Sequence, residues 1–436
     1  MDLIKFIEEN GIEFIDLKYV DLIGNLYHLT LTKEKFLKIK EKGIGFDGSS
    51  VFGFSLKEGS DLLLLPDTED FFIDPIYERK TLSFFSNIFL KKEPFPKDPR
   101  QILKKTVDFF KKEVNVDSIL FRTELEFYLL EEADFNFNKL NGYYHFSSEE
   151  KKERNVKLPY EKSYHQTPPF DRYYELRQEI VIRAKEIGID IKYHHHENGQ
   201  FGQEEIETEF YSPLKLSDII LILKYLIRNL AKKNNKIVTF LPKLFYQEAG
   251  NGLHFHFQIL KENRNLLINE NGELSEEGRY FINGVFTHLK TLAAFSNPSS
   301  NSYRRLASGF EAPQILAIGI GTRTTVFRIP DYLEEKEKTI EFRLPDALSN
   351  PYLLISAFLL AGFDGIKKKM VTPQNYSLPK NLEESLNSLE EDNQFLLIND
   401  IFNQEIIEEW LRLKKEELKL IKEFPHPVEY LLYFNL

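Results

Sequence analysis

Residues 121–130 read FRTELEFYLL, residues 252–260 GLHFHFQIL and residues 339–344 TIEFRL. All three alternate. Side chains along a strand point to opposite faces in turn. Arg122, Glu124, Glu126 and Tyr128 therefore share one face, and Phe121, Leu125, Phe127 and Leu129 the other. His254, His256 and Gln258 stand opposite Leu253, Phe255, Phe257 and Ile259, and Glu341 and Arg343 stand opposite Ile340 and Phe342. The pattern predicts strands of an antiparallel sheet with one face on the core. A half-polar strand ordinarily faces water, which accounts for any one segment alone. Water-facing strands usually carry Thr, Lys and Ser, however, and these carry Glu, Glu, His, His, Glu and Arg. Carboxylates lined up on one sheet repel unless cations neutralise them. Magnesium or manganese suits oxygen ligands with an occasional imidazole.

Further carboxylates come from HHHENGQFGQEEIETEF, residues 194–210, in which Glu197 and Glu205 flank a Gly199–Gly202 loop that can fold the chain back. A histidine-rich tract also suits zinc. Yet no histidine lies three residues after Glu197, as a helical HExxH site requires, and zinc favours nitrogen and sulfur ligands. Cationic groups gather nearby in sequence: Arg304 and Arg305 in NSYRRLASGFEAP, Arg323 and Arg328 in GTRTTVFRIP, and Arg343. Arginines beside a carboxylate–metal site suit phosphate or carboxylate substrates, although ordinary surface ion pairs give the same composition. Metals plus arginines point to phosphoryl transfer from a nucleotide. There is no GxxxxGK[ST] run or GxSxG elbow, and Gly319-Ile320-Gly321 lacks the third glycine of a dinucleotide fingerprint. The residues alone thus read as a metal-dependent, nucleotide-using enzyme on an antiparallel sheet.

Outward from these motifs, Pro94–Pro99 holds three prolines in six residues and marks a domain boundary near residue 98. Before it, residues 1–16 read as a short helix and a strand start. A hairpin turns at Gly24-Asn25, Gly43–Gly53 reads as a loop, and Ser60–Asp67 as a strand ending at its proline. After it, Arg100–Val114, Ile180–Ile187, Ser217–Lys232 (Ser217 as N-cap) and Tyr352–Ile366 read as helices. Glu149–Lys157 and Glu408–Lys422 read as solvated charged faces. The 436 residues are 42% hydrophobic and 14% aromatic, enough for a sizeable core and unlike a disordered chain. A net charge of −11 argues against a nucleic-acid partner. No cysteine means no disulfide, thiolate nucleophile or iron–sulfur cluster. The acidic start MDLIKFIEEN is no signal peptide, and the 13-residue apolar run Pro351–Phe363 is too short to span a membrane. The expected location is the cytoplasm, with no membrane contact.

Taken in order, FDGSS, SDLLLLPD, the ELE strand, HHHE, HFH, IEFRLPD and NPYLLISAFLLAGFDGI resemble the glutamine synthetase superfamily, and within it the bacterial and archaeal type I enzymes. The resemblance implies an α+β fold: a small N-terminal β-grasp domain (1–98) and a large catalytic domain (99–436) with a curved antiparallel sheet flanked by helices. It implies a homo-oligomer, a dodecamer of two stacked hexamers with shared active sites. It implies two or more Mg2+ (or Mn2+) per site, and ATP, glutamate and ammonium as substrates. Position by position, it implies one metal on Glu126, Glu197 and Glu205 and a second on Glu124, His254 and Glu341. It puts glutamate on Arg305, Arg343 and Gly250, ATP phosphates on His256 and Arg328, and the transferring phosphoryl group on Arg323. Asp47 and Ser50 of the adjacent subunit, with Tyr164 and Glu311, match the ammonium pocket, and Asp61 an acidic residue beside it. The implied chemistry is attack of glutamate on the γ-phosphate, then of ammonia on γ-glutamyl phosphate.

Departures qualify the resemblance. Ala249 replaces the first Asn of the loop before His254, which loosens the inferred hold on the amino group of glutamate. Gln258, Thr339 and Thr322 stand where Ser, Arg and Asn are usual. Ala249 is more reminiscent of the γ-glutamyl-amine ligases of the superfamily, so a polyamine or other amine is the alternative nucleophile. A catalytically silent structural or regulatory homologue is a third reading, opposed by the complete ligand set. Tyr376 sits where some relatives carry a nucleotidylated tyrosine, and reads here as an ordinary loop residue.

Overall fold

Phe14–Val20 pairs antiparallel with Leu26–Thr32, forming the hairpin expected at Gly24-Asn25. Asp21 accepts the Asn25 N–H at 2.8 Å, and Gly24 takes φ +94°, which suits glycine. In the computed structural model, which describes residues 2–54, 60–152, 163–334, 338–373 and 377–433, this hairpin begins a mixed N-terminal sheet. Phe14–Val20 lies parallel to Thr81–Leu90, which pairs with Asp61–Ile73, itself edged by Ile44–Asp47. Two local expectations are corrected. Gly43–Gly53 is not all loop, because Ile44–Asp47 finds a ladder partner in Asp61–Leu64. The strand from Asp61 does not end at Pro66 but runs to Ile73; its register slips between Pro66 and Phe71, where the missing proline N–H is tolerated. Tyr376 and part of the Glu149–Lys157 run lie outside the described residues.

The proline-rich segment is not slack. Asp98 caps helix Pro99–Val114, accepting Arg100 N–H at 3.1 Å, and also accepts Ile88 N–H at 2.8 Å from the N-terminal sheet. Charge ties the two units together. Arg100 bonds Asp67 at 2.8 Å and Asp218 at 3.0 Å. Buried Lys18 lies between Asp16 and Asp74, and Asp74 accepts from the Tyr225 hydroxyl at 3.2 Å. Ser217 is no cap: its helix starts at Pro213, whose fixed φ suits a first turn, and the Ser217 hydroxyl donates to Pro213 O.

The large sheet runs Ile191–His196, Gln203–Thr208, Ser118–Leu130, Leu253–Lys261, Ile340–Phe342, Thr325–Ile329, Ile315–Ile320. It is antiparallel, as expected, except for its last pair, which is parallel. Residues 321–324 run back along the sheet to make that pairing, with Thr324 O accepting from Gln314 and Ile315. Alternation puts the phenylalanines behind the sheet. Phe121 stacks on Phe257 at 5.7 Å, and Phe257, Phe342 and Phe327 surround Phe358 of helix Pro351–Lys368. That helix is buried from Pro351 to Gly365. It touches helix Glu276–Thr287 backbone to backbone: a Cβ on Gly284 would lie 2.4 Å from Ala361 O. Each buried Leu, Ile or Phe in this layer contributes about 1.5–3 kcal/mol. No helix among the described residues is long and apolar enough to cross a membrane.

Candidate active site

Register brings the three polar faces together. Glu126 lies opposite Glu205, and Glu124 opposite both Glu207 and His254. His256 lies opposite Arg122 and Glu341, Arg328 opposite Glu341, and His195 opposite Glu205. Opposed residues share a face, so the front of the sheet carries rows of carboxylate and imidazole while the back carries phenylalanine.

Two groups of donors result. In the first, ligand atoms of Glu124, His256 and Glu341 lie within 4.8 Å of one another. His254 joins this group: its Nδ1 is 2.8 Å from Glu124 and 3.9 Å from Glu341. The second is His195, Glu197 and Glu205, again within 4.8 Å. Glu126 links the two, 3.7 Å from His254 Nδ1, with its Oε2 accepting the Gly252 N–H at 2.8 Å. Burial pushes the Glu197 carboxyl well up, and Glu205, Glu126 and Glu311 push it further. Burial does the same to Glu205, reinforced by Glu124 and Glu126. Burial also works against Glu124, but hydrogen bonds from His254 and His256 prevail and hold it well below its ordinary value. For Glu341 burial is outweighed by the Arg343 guanidinium, with help from the two histidines, and its carboxyl falls to about 2.

Glu197 Oε2 is buried with no hydrogen-bond partner. Crowded buried carboxylates, an orphaned oxygen and a few imidazoles fit a hard divalent cation such as Mg2+ or Mn2+ better than zinc. Like charges need an ion most at Glu197 and Glu205, but the third donor within 4.8 Å of them is His195 rather than the expected Glu126. The other three-residue ligand set differs in detail from the expectation. His256 completes the tightest trio, while His254 also turns its Nε2 toward Arg305 at 3.1 Å.

Both groups, His256 excepted, line a cleft of about 890 Å³, together with Tyr164, Glu311, Arg323, Arg328 and Arg343. Arg343 bonds Glu341 and donates to Glu311 O at 3.0 Å; Arg328 bonds the other Glu341 oxygen at 2.7 Å. Arg323 is 3.0 Å from the Glu311 carboxylate and 5.6 Å from the Tyr164 ring. Glu311 has φ +64°, an uncommon conformation for a non-glycine residue. A small recess shares Glu126, Glu197, His254 and Glu311 with the cleft and ends at Gly250 and Arg305. His256 does not line the cleft; it is buried on Glu124 at 2.9 Å and Thr339 at 3.1 Å.

Asp47, Ser50 and Asp61 are not brought to this cleft. They lie at the edge of the N-terminal sheet, with Asp47 opposite Asp61. Hydrogen bonds from Ser49, with Ser60 and Ser50, hold Asp47 below its ordinary value. His195 lines the cleft, and Gln203 and Asn198 the recess, beyond the residues expected from the sequence. His195 shares period-2 phase with Tyr193 and Glu197, a signal legible in KYHHHE. Gln203 was not legible: it acts by donating to Gly250 O and Asn251 at 3.1 Å, contacts between distant segments.

Residues 96–433 match the glutamine synthetase catalytic-domain model and residues 11–91 the glutamine synthetase β-grasp domain. The chain belongs to the glutamine synthetase family. The glutamine synthetase of Frankia alni is 37% identical to it over 100% of this chain and 99% of the relative. That of Aquifex aeolicus is 35% identical, over 100% and 98%. The cryo-EM structure of Plasmodium falciparum glutamine synthetase matches with a TM-score of 0.92 at 27% identity, covering 99% of this chain and 98% of that one. GmaS without ligand shares the fold, with a TM-score of 0.84 at 24% identity over the whole of both chains. As a glutamine synthetase family member, the chain carries a ligase catalytic domain behind its β-grasp unit, and the cleft lies on the polar face of that domain's sheet.

Proposed function

We propose that this family member is the glutamate–ammonia ligase itself, amidating glutamate with ammonia at the expense of ATP. The observation that carries this reading is convergence in one cleft: two carboxylate–imidazole groups, Arg323, Arg328 and Arg343, and a recess ending at Gly250 and Arg305. Glu126, Glu197 and Glu205 would hold one Mg2+ or Mn2+, and Glu124, His254 and Glu341 another, with His256 beside the latter pair of carboxylates. Ions bound there supply charge neutralisation and Lewis acidity at the γ-phosphate of ATP.

The chain's own groups do the rest. Arg305 and Gly250 receive glutamate in the recess, with Arg343 alongside. The glutamate side-chain carboxylate attacks the γ-phosphorus; the bond to ADP breaks and γ-glutamyl phosphate forms. Arg328 and Arg323 offset charge on the phosphoryl oxygens, Arg323 by leaving Glu311 for the substrate. His256, held on Glu124 and Thr339, orients the Glu124 carboxylate, and would reach the ATP phosphates with its own imidazole on leaving that carboxylate. Asp47 of a second copy, with Ser50 and Asp61, completes the ammonium pocket beside Tyr164 and takes a proton from ammonium. Ammonia then attacks the acyl carbon and phosphate leaves. Glu311 shields the intermediate from water and accepts the remaining proton. The site is shared between copies, so the active form is an oligomer, a dodecamer of stacked hexamers. Its setting is the cytoplasm.

One observation favours a second reading. Ala249 on the recess wall supports a γ-glutamyl-amine ligase, whose nucleophile is an amine. Incubation with ATP, Mg2+ and glutamate, adding ammonium or one of a panel of amines, separates the two by product mass. Glutamine from ammonium alone supports the first. A γ-glutamyl-amine with little glutamine overturns it.

A further inference from the structure

Asn198 lies in the loop after strand Ile191–His196 and lines the recess together with Ala249 and Gly250. Its Oδ1 is shut away from solvent and accepts no hydrogen bond. Buried amide oxygens are almost always paired, so a lone one on a residue lining a ligand recess marks a place for a donor. The donors around the recess already have protein partners. Arg305 Nη1 bonds Leu344 O at 3.0 Å and Pro345 O at 3.3 Å, and Nη2 meets His254 Nε2 at 3.1 Å and Arg343 O at 3.3 Å. Gln203 Nε2 is directed to Gly250 O and Asn251 Oδ1. With the Glu126 and Glu197 carboxylates given to the metal ion, the acceptors left on the walls for the substrate are the Asn198 oxygen and Glu311, which Arg323 leaves for the phosphoryl group. Such a wall selects a cationic donor.

The position of Asn198 is fixed. Gly199 N–H bonds Gln203 Oε1 at 2.8 Å, and Gln200 N–H bonds Glu248 at 3.0 Å. Tyr128 lies under both sides of the recess. Its hydroxyl donates to Ala249 O at 2.7 Å, and Gly199 packs so close that a Cβ there would be 2.0 Å from Oη. One rigid side chain thus sets the 198 loop against the 249 loop. Ala249 has no polar side-chain atom, whereas Asn198 brings an amide to the same small space.

Resting on the glutamate reading above, we infer that Asn198 is the residue that holds the α-ammonium group of glutamate, taking the part that a polar residue at 249 would play. The γ-carboxylate, the phosphoryl-acceptor end of the substrate, then points toward the cleft, and dicarboxylates without an α-ammonium are discriminated against at Asn198.

The test uses the full-length enzyme with ATP and Mg2+, following phosphate release with ammonium as acceptor, on L-glutamate and on glutarate, which lacks only the ammonium group. Losing one charge-assisted hydrogen bond should raise the KM for glutamate about 10- to 100-fold in Asn198→Ala. The KM for ATP and the efficiency on glutarate should stay within twofold, which also shows that the variant is folded. Adding Ala249→Asn to that variant should recover most of the glutamate affinity. Calorimetric titration of L-glutamate in the presence of Mg2+ and ADP should show the same loss. An unchanged glutamate KM, or equal losses on glutamate and glutarate, overturns the role of Asn198 and leaves the ligase reading standing. If the wild-type protein neither binds nor consumes glutamate, both fall.

Discussion

Glu341→Gln should destabilise the metal-free protein by an amount that depends on pH in a calculable way. Glu341 is fully buried and bonds Arg328 at 2.7 Å and Arg343. Its carboxyl lies at about 2 against an ordinary 4.5. Each unit is worth about 1.4 kcal/mol, so ionised Glu341 contributes about 3 kcal/mol to the folded state at pH 7. That agrees with the roughly 3–5 kcal/mol lost when one partner of a buried ion pair is removed. The group is depressed, so its contribution is present above the unfolded value and is lost as pH falls toward the folded one. At pH 3 about 1 kcal/mol should remain. Glutamine cannot ionise and leaves two arginines facing a neutral amide. The wild type should therefore exceed the variant by about 3 kcal/mol at pH 7 and about 1 kcal/mol at pH 3. Trp410, the single tryptophan, is buried in the large core and reports unfolding by fluorescence. Urea titrations in EDTA at both pH values provide the measurement. Equal stabilities at pH 7, or a deficit that does not shrink at pH 3, would refute the account of Glu341 as a pinned carboxylate between arginines.

The raised carboxyls Glu197 and Glu205 act in the opposite sense: folded protein holds protons that the unfolded chain has released, so metal-free stability should fall as pH rises above about 4.5. Mg2+ or Mn2+ at a hundred times its dissociation constant should restore about 2.7 kcal/mol, and Glu205→Gln should abolish that thermal shift. Asp47→Ala should lower ammonium-dependent turnover by about 100-fold or more while leaving the metal-induced shift intact; normal turnover would remove Asp47 from the pocket. Burial pushes the Lys224 ammonium down to about 7, so the wild type carries a penalty that grows as pH falls from 9 to 7. Lys224→Met should gain about 2 kcal/mol on the wild type over that interval by urea unfolding, and a pH-independent difference would contradict the assignment.

What the sequence made legible was faces, and what it left open was partners. Alternation in FRTELEFYLL and GLHFHFQIL tells which residues look out of the sheet, because period 2 is a property of one strand. It does not tell which histidine meets which glutamate, because that depends on the register between strands far apart in the chain. His254 and His256 occupy the same face of the same strand. The resemblance assigned the first to metal and the second to nucleotide. Register puts Glu124 beside His254 and Glu341 beside His256, and the Glu124 side chain then bonds both rings, one through each oxygen. The two histidines are thus coupled through one carboxylate. A ligand that draws Glu124 toward either ring weakens its bond to the other, so metal and nucleotide should each alter the affinity for the other by the same factor. Replacing His256 by Asn should then change metal affinity as well as ATP affinity. An effect on ATP alone, with the metal titration unmoved, would show that the rows act independently.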